Sequence, residues 1–249
     1  VLPPDDERAL RRLRIFTPAR EIPFAGHPSV GSAHVALAIG MARARAGRLR
    51  QDCGAGRLPL RVDTTQGVQQ IAVCAPAARC LRRAPDLDPA LQSMLAGIAL
   101  GATPAALVEG GRRWWLAEFA SASALRAWQA PHAAIAALAR ATDSLGLALF
   151  ARADDPGFEA VVRAFPCGVG IDEDPASGAA NGLIAAWLRE CEPQGPLARG
   201  YRVSQGREIG RDARITITLD PDGSVWVGGQ IHTVIDGSID WPDDRVDAG

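Results

Sequence analysis

Two short stretches of this 249-residue chain carry the residues best suited to moving protons: Gly26-His27-Pro28-Ser29-Val30-Gly31-Ser32-Ala33 and Glu173-Asp174-Pro175-Ala176-Ser177-Gly178-Ala179-Ala180. Each reads as a polar residue, Pro, two residues, Gly, one residue, Ala. The imidazole of His27 can act as an acid, a base or a hydrogen-bond donor to a substrate. Asp174 stands beside Glu173 and Asp172, and of three neighbouring carboxylates one can keep its proton and serve as a general acid. The plainer reading is structural: His27 and Asp174 are N-caps, with Pro28 and Pro175 in the first helical turn, where a missing N–H costs nothing.

That pattern also says what must position these groups. An Ala-rich apolar run follows each proline, Ala33 to Ile39 and Ala179 to Leu188, so each stretch reads as strand, loop and helix. Gly31 and Gly178, one turn in, let a ligand or another backbone come close. The bare N–H groups and positive dipole end of each helix suit a carboxylate. Two such starts, from two similar halves, are expected to face each other across one cleft. There the amides around Gly178 and Ala179 would hold an oxyanion, a role that needs no side chain; the structural alternative for them is close helix packing.

Composition removes several function classes. Arg supplies every basic charge, and 27 of them against 28 Asp plus Glu leave a net charge of −1, which argues against a nucleic-acid or anionic-membrane surface. Cys53, Cys74, Cys80, Cys167 and Cys191 are odd in number and lack C-x-x-C spacing, so they read as reduced thiols of a cytoplasmic protein, with neither a zinc cluster nor a disulfide framework. His34, His132 and His232 are not spaced as metal ligands and read as structural. No apolar run reaches the length of a membrane span, and the amino end has no signal-peptide pattern. It does not open with Met, which suggests a fragment or processed chain.

Taken in order, Val1-Leu2 reads as a strand end closed by Pro3-Pro4 and the turn Asp5-Asp6-Glu7-Arg8. A strand over 13–16, a loop over 17–26 carrying Glu21 and a helix from His27 to about Ala44 follow. Strands are expected over 48–52, 58–62 and 69–75, separated by Gly54-Ala55-Gly56 and Gln66-Gly67. A helix over 89–95 leads into the second half. That half should hold strands over 114–119 and 145–151, an Ala-rich helix over 123–140 interrupted by Pro131, a strand over 160–165 matching the one over 13–16, and a helix from Pro175 to Glu190. Strands over 201–204, 214–219, 224–227 and 231–235 close the chain. Gly228-Gly229 reads as a strand bend or bulge, and Trp114, Trp115 and Trp187 as core or interface. The repeat divides the chain into an N-terminal half, 1–100, and a C-terminal half, 101–249. Strand, helix and strand precede the acidic turn in the second half but have no counterpart before Asp5 in the first, so the first half is expected to lack its first strands.

The segments RIFTPAREIPFAGHPSVGSAH, FPCGVGIDEDPASGAANG, SQGREIGR and VWVGGQIHTVIDG together resemble the signatures of the phenazine-biosynthesis isomerase (PhzF-like) family, from Val1 to about Ile239. The resemblance implies an α+β, diaminopimelate epimerase-like fold of two pseudo-symmetric halves. Each half is a curled, mostly antiparallel sheet around a central helix, with the active site between the halves, usually in a homodimer. It implies cofactor-free proton transfer on a small carboxylate-bearing substrate resembling dihydro-hydroxyanthranilate, with no metal. Carried over, it makes His27 and Asp174 catalytic and Gly26, Gly178 and Ala179 substrate-binding.

Two departures from the family pattern stand out. The family's proton-moving Glu belongs to a segment ending just before Val1, and Ala179 stands where the family has Ser. The first predicts that this polypeptide by itself lacks the family's proton shuttle. Both favour the alternative of a catalytically silent carboxylate-binding or interaction protein. Glu21 reads as a salt-bridge or loop-anchoring carboxylate rather than a substitute base. Related racemases use a Cys pair, one at each helix start; Cys167 lies only in the preceding loop, so that chemistry is not expected.

Overall fold

Ala-rich runs favour helix, and both central helices form: α1 over Gly26–Ala38 and α5 over Gly178–Cys191. In the computed structural model, which describes residues 12–16, 21–65 and 68–238, three shorter helices join them, α2 over Pro89–Leu95, α3 over Ala122–Ala127 and α4 over His132–Ala141. Pro131 separates α3 from α4, as its missing N–H and fixed φ require. The readings at Val1 to Arg8, part of the 17–26 loop and the Gln66-Gly67 turn lie outside the described residues.

The strands are β1 (Ile15–Phe16), β2 (Glu21–Ile22), β3 (Arg48–Cys53), β4 (Gly56–Thr65), β5 (Val68–Cys74), β6 (Arg79–Arg83), β7 (Ala106–Gly110), β8 (Arg112–Glu118), β9 (Leu147–Asp155), β10 (Phe158–Phe165), β11 (Gly200–Gln205), β12 (Ala213–Leu219) and β13 (Val225–Gln230). Eleven of them form one sheet in the order β3-β4-β5-β13-β12-β11-β10-β9-β8-β7-β6, and β1 pairs with β2. Only β10–β11 and β8–β9 run parallel. The mostly antiparallel α+β architecture expected from the sequence is the one observed.

Packing explains why the helices sit where they do. α5 lays Leu183, Ile184, Trp187 and Leu188 on one face of the sheet, against Trp114, Leu116, Phe150 and Ile217. On the other face α2 and α4 bring Leu91, Ile135 and Leu138 to Trp115, Leu149 and Phe165. α1 covers β3, β4 and β5, through Ala33 and Ala36 against Leu49, Leu60, Ile71 and Val73. Trp114, Trp115 and Trp187 are thus core residues, each at most 1% exposed.

Several boundaries differ from expectation for identifiable reasons. α1 stops at Ala38, not Ala44, because Gly40 takes φ +73° and turns the chain. β7 was not foreseen: buried along almost its whole length, it reads as an apolar run without alternation. β6, Arg79-Cys80-Leu81-Arg82-Arg83, has no alternating pattern to find. The expected strand over 231–235 does not form, since β13 ends at Gln230 opposite Gln70 and already has β12 and β5 on its two sides. Gly228-Gly229 makes no bend either. The strand continues, and a Cβ at Gly228 would lie 2.3 Å from the Ile71 carbonyl oxygen, so the glycine serves close strand approach.

Candidate active site

The starts of α1 and α5 meet. Ala25 and Ser177 are the N-caps, and Gly26 and Gly178 are the first helical residues. The register differs from the sequence repeat, which paired Gly31 with Gly178; the helices pair Gly26 with Gly178, and Gly31 faces open space. His27 and Asp174 are therefore not N-caps. His27 is the second residue of α1, with Pro28 behind it, and Asp174 and Pro175 lie in the loop before α5. Local chemistry chose the true cap: the Ser177 Oγ accepts from the Ala180 N–H at 3.3 Å.

Buried glutamines hold both starts. In the second half Gln205 Nε2 donates to the Asp174 carbonyl at 2.7 Å, while its Oε1 accepts from the Ser177 N–H at 3.2 Å and from Asn181 Nδ2 at 2.8 Å. Asp174 is fixed further by its own N–H, which donates to the Ala164 carbonyl at 2.8 Å, and by its Oδ1, which accepts from the Ala176 N–H at 3.1 Å. In the first half Gln51 Nε2 donates to Ser29 Oγ at 3.0 Å, and Ser29 donates to the Ala25 carbonyl at 2.9 Å. Ser29 and Asn181 occupy the same place in their helices, three residues past the first glycine. Sequence reasoning missed both glutamines; the available signal was a polar residue at a core-facing position of a strand.

All five residues singled out in the sequence, Gly26, His27, Asp174, Gly178 and Ala179, line one cavity of about 120 Å³. A water needs roughly 10–15 Å³ of such space, so there is room for a ligand of several heavy atoms. His27 is exposed at its rim, where a neighbouring groove along Val30 and Gly228 begins, and Asp174 is half-buried. The remaining wall is mostly apolar, with Phe24, Trp114, Leu145, Val169 and Ile171, apart from the capping Ser177 and Arg112 at the start of β8. Neither Arg112 nor the apolar residues were foreseen there.

The other carboxylates and thiols are accounted for elsewhere. Glu173 takes a two-pronged bond from Arg163, at 2.9 and 2.8 Å, with both side chains under 10% exposed, and Arg163 also donates to the Trp128 carbonyl. Glu21 pairs likewise with Arg14 at 3.0 and 2.8 Å, which holds its carboxyl below the usual range. Asp172 is exposed. Burial, then the Asp172 charge, push the Cys167 thiol up to about 11, so it is no thiolate at neutral pH. His34 is tied between Gln69 and Thr233, and His132 packs on Phe165. Among the described residues no group of His, Cys, Asp and Glu is arranged to hold a metal.

Chemically, the arrangement offers the leading amides of two helices, a geometry that suits a carboxylate. Beside them stand an imidazole and a carboxylate able to exchange protons.

Residues 1–237 match the family model described as phenazine biosynthesis-like protein. The antisense-enhancing sequence 1 protein of Schizosaccharomyces pombe is 26% identical over 95% of this chain and 82% of its own length. The trans-2,3-dihydro-3-hydroxyanthranilate isomerase of Pseudomonas aeruginosa is 31% identical over 82% of this chain and 68% of its own. Among solved structures, a PhzF-family protein of Bacillus anthracis superposes with a TM-score of 0.71 at 19% identity, covering 88% of this chain and 76% of that one. The fold is accordingly the diaminopimelate epimerase-like one.

Proposed function

Since the chain belongs to the phenazine biosynthesis-like (PhzC-PhzF) family, we propose that it is a cofactor-independent isomerase moving a proton within a small carboxylate-bearing metabolite similar to dihydro-hydroxyanthranilate. In this reading the amides of Gly26, Gly178 and Ala179 hold the substrate carboxylate, His27 and Asp174 orient the substrate and line the path of the proton, and the general acid/base is the Glu that the family pattern places ahead of Val1. A proton leaves one carbon of the ring system and another is delivered elsewhere on it, so composition does not change. The observation that supports this most is the single cavity shared by His27, Asp174 and both helix starts. The reading includes a homodimer in the cytoplasm; in its favour are the family resemblance and five free thiols. No described helix is long and apolar enough to cross a membrane.

The test is to incubate the protein, carrying the family's Glu-bearing segment ahead of Val1, with trans-2,3-dihydro-3-hydroxyanthranilate in deuterated water and follow isomerisation and deuterium uptake by NMR. Isomerisation with deuterium uptake, lowered about 10²–10⁴-fold in His27→Ala and in Asp174→Ala, is the expected result. Turnover indifferent to both substitutions would overturn it. Binding without turnover would instead support the silent carboxylate-binding reading, which Ala179 favours.

A further inference from the structure

The space that holds His27 does not end at the cavity rim. Past Val30, Ala176 and Gly228 it opens into a groove of about 580 Å³, against about 120 Å³ for the cavity itself, and His27 borders both. Two glycines of β13 form part of its wall. A Cβ at Gly228 is barred by the Ile71 carbonyl oxygen and one at Gly229 by that of Arg214, 2.8 Å away, so this stretch of strand carries no side chain. Gln230 follows, two residues or about 7 Å beyond Gly228. It lies directly across from Gln70 of β5, and directly opposed residues turn their side chains to the same face. The groove therefore carries two carboxamides side by side, each able to donate and to accept. Its charged wall residues are matched by partners. Arg214 donates to Asp212 at 3.3 Å, Asp212 also accepts from Arg207 at 2.7 Å, and Arg202 donates to Glu159 at 2.5 Å.

We propose that this groove is a second substrate-binding subsite, taking a neutral, amide-linked extension of a substrate whose carboxylate is held at the helix starts. The proposal rests on the functional reading above and narrows its substrate class to an acylated or peptide-like carboxylate, of which the ring acid is the part held in the cavity. An amide suits the Gln70–Gln230 pair because each side offers a donor and an acceptor. A charged extension would gain less, since the arginines and Asp212 of the wall already have partners of opposite sign. His27 stands at the junction, where the two parts of such a substrate meet.

Calorimetry on the full chain compares 3-hydroxyanthranilate with the same compound acylated on its amino group by acetylglycine, which keeps the carboxylate and adds two amides. The wild type should bind the extended compound about tenfold or more tighter, as one or two added hydrogen bonds allow. Gln70→Ala together with Gln230→Ala should bring that ratio to near one, with the affinity for 3-hydroxyanthranilate unchanged. Both glutamines are exposed, so the double variant leaves the core intact. An extended compound held no tighter than its parent, or a ratio undiminished in the double variant, overturns the subsite and leaves the carboxylate reading standing. A wild type that binds neither compound overturns both.

Discussion

Gly26 and Gly178 touch backbone to backbone at the starts of α1 and α5. A Cβ built on either would come within 2.6 or 2.7 Å of the other's Cα. This contact brings two helix N-termini to one cavity, and each start carries one of the proton-handling candidates close to it.

Gly26→Ala and Gly178→Ala should therefore each destabilise the protein by about 1–3 kcal/mol or more, since the clash is with main chain that cannot rotate away. Gly31→Ala is the control. Gly31 sits inside α1 with nothing near its missing Cβ, so alanine there should stabilise by about 0.5–1 kcal/mol. Urea denaturation separates the two outcomes.

Gln205→Leu should cost about 2–4 kcal/mol, because it strands the Asp174 carbonyl, the Ser177 N–H and Asn181 Nδ2 together. The loop carrying Asp174 loses its tether, so binding of 3-hydroxyanthranilate should weaken as well. Gln51→Leu, at the corresponding place under α1, loses the bond to Ser29 and should also destabilise the protein. Calorimetric unfolding with and without that compound measures both effects.

The Arg163–Glu173 pair is buried on both sides, so Arg163→Met leaves an uncompensated carboxylate and should cost about 3–5 kcal/mol. Arg163→Met with Glu173→Leu should recover most of that loss. A double-mutant cycle by denaturant melts would show it, and a double variant no more stable than the single one would contradict the burial argument.

Cys167 should resist thiol reagents in the native protein at pH 8. Its folded-state value is raised from 9.0 to about 11 by burial, so the folded chain keeps a proton that the unfolded chain sheds. Stability drawn from this group is complete below pH 9 and is lost as pH rises from there through about 11. Replacing Cys167 with Ser should remove that alkaline component, read as the slope of stability against pH.

Much was legible in the residues themselves. Pro131 in an alanine-rich run specifies a break between α3 and α4, and Asp88 before Pro89 specifies the start of α2, its Oδ1 accepting from the Ala90 N–H. The two Pro-Gly stretches also picked out residues that line one cavity, because proline, small residues and a polar group in sequence are what a helix start open to a ligand needs. The same local rules misplaced the caps. Asp-Pro looks like a cap, yet Asp174 carries a β-bridge to Ala164 that only the folded sheet supplies, and the cap passed to Ser177.

Short-range spacing thus determined which residues line the cavity floor, since helix starts are set by interactions within a few residues. It did not determine the register between the halves, the glutamine tethers or the wall of Arg112 and Trp114. Those depend on contacts between residues far apart in the chain, where a backbone approach open only to glycine, or a strand face turned toward a distant helix, decides the partner. Such contacts exist only after the sheet has closed around α1 and α5, and for that reason the tertiary structure alone settled them.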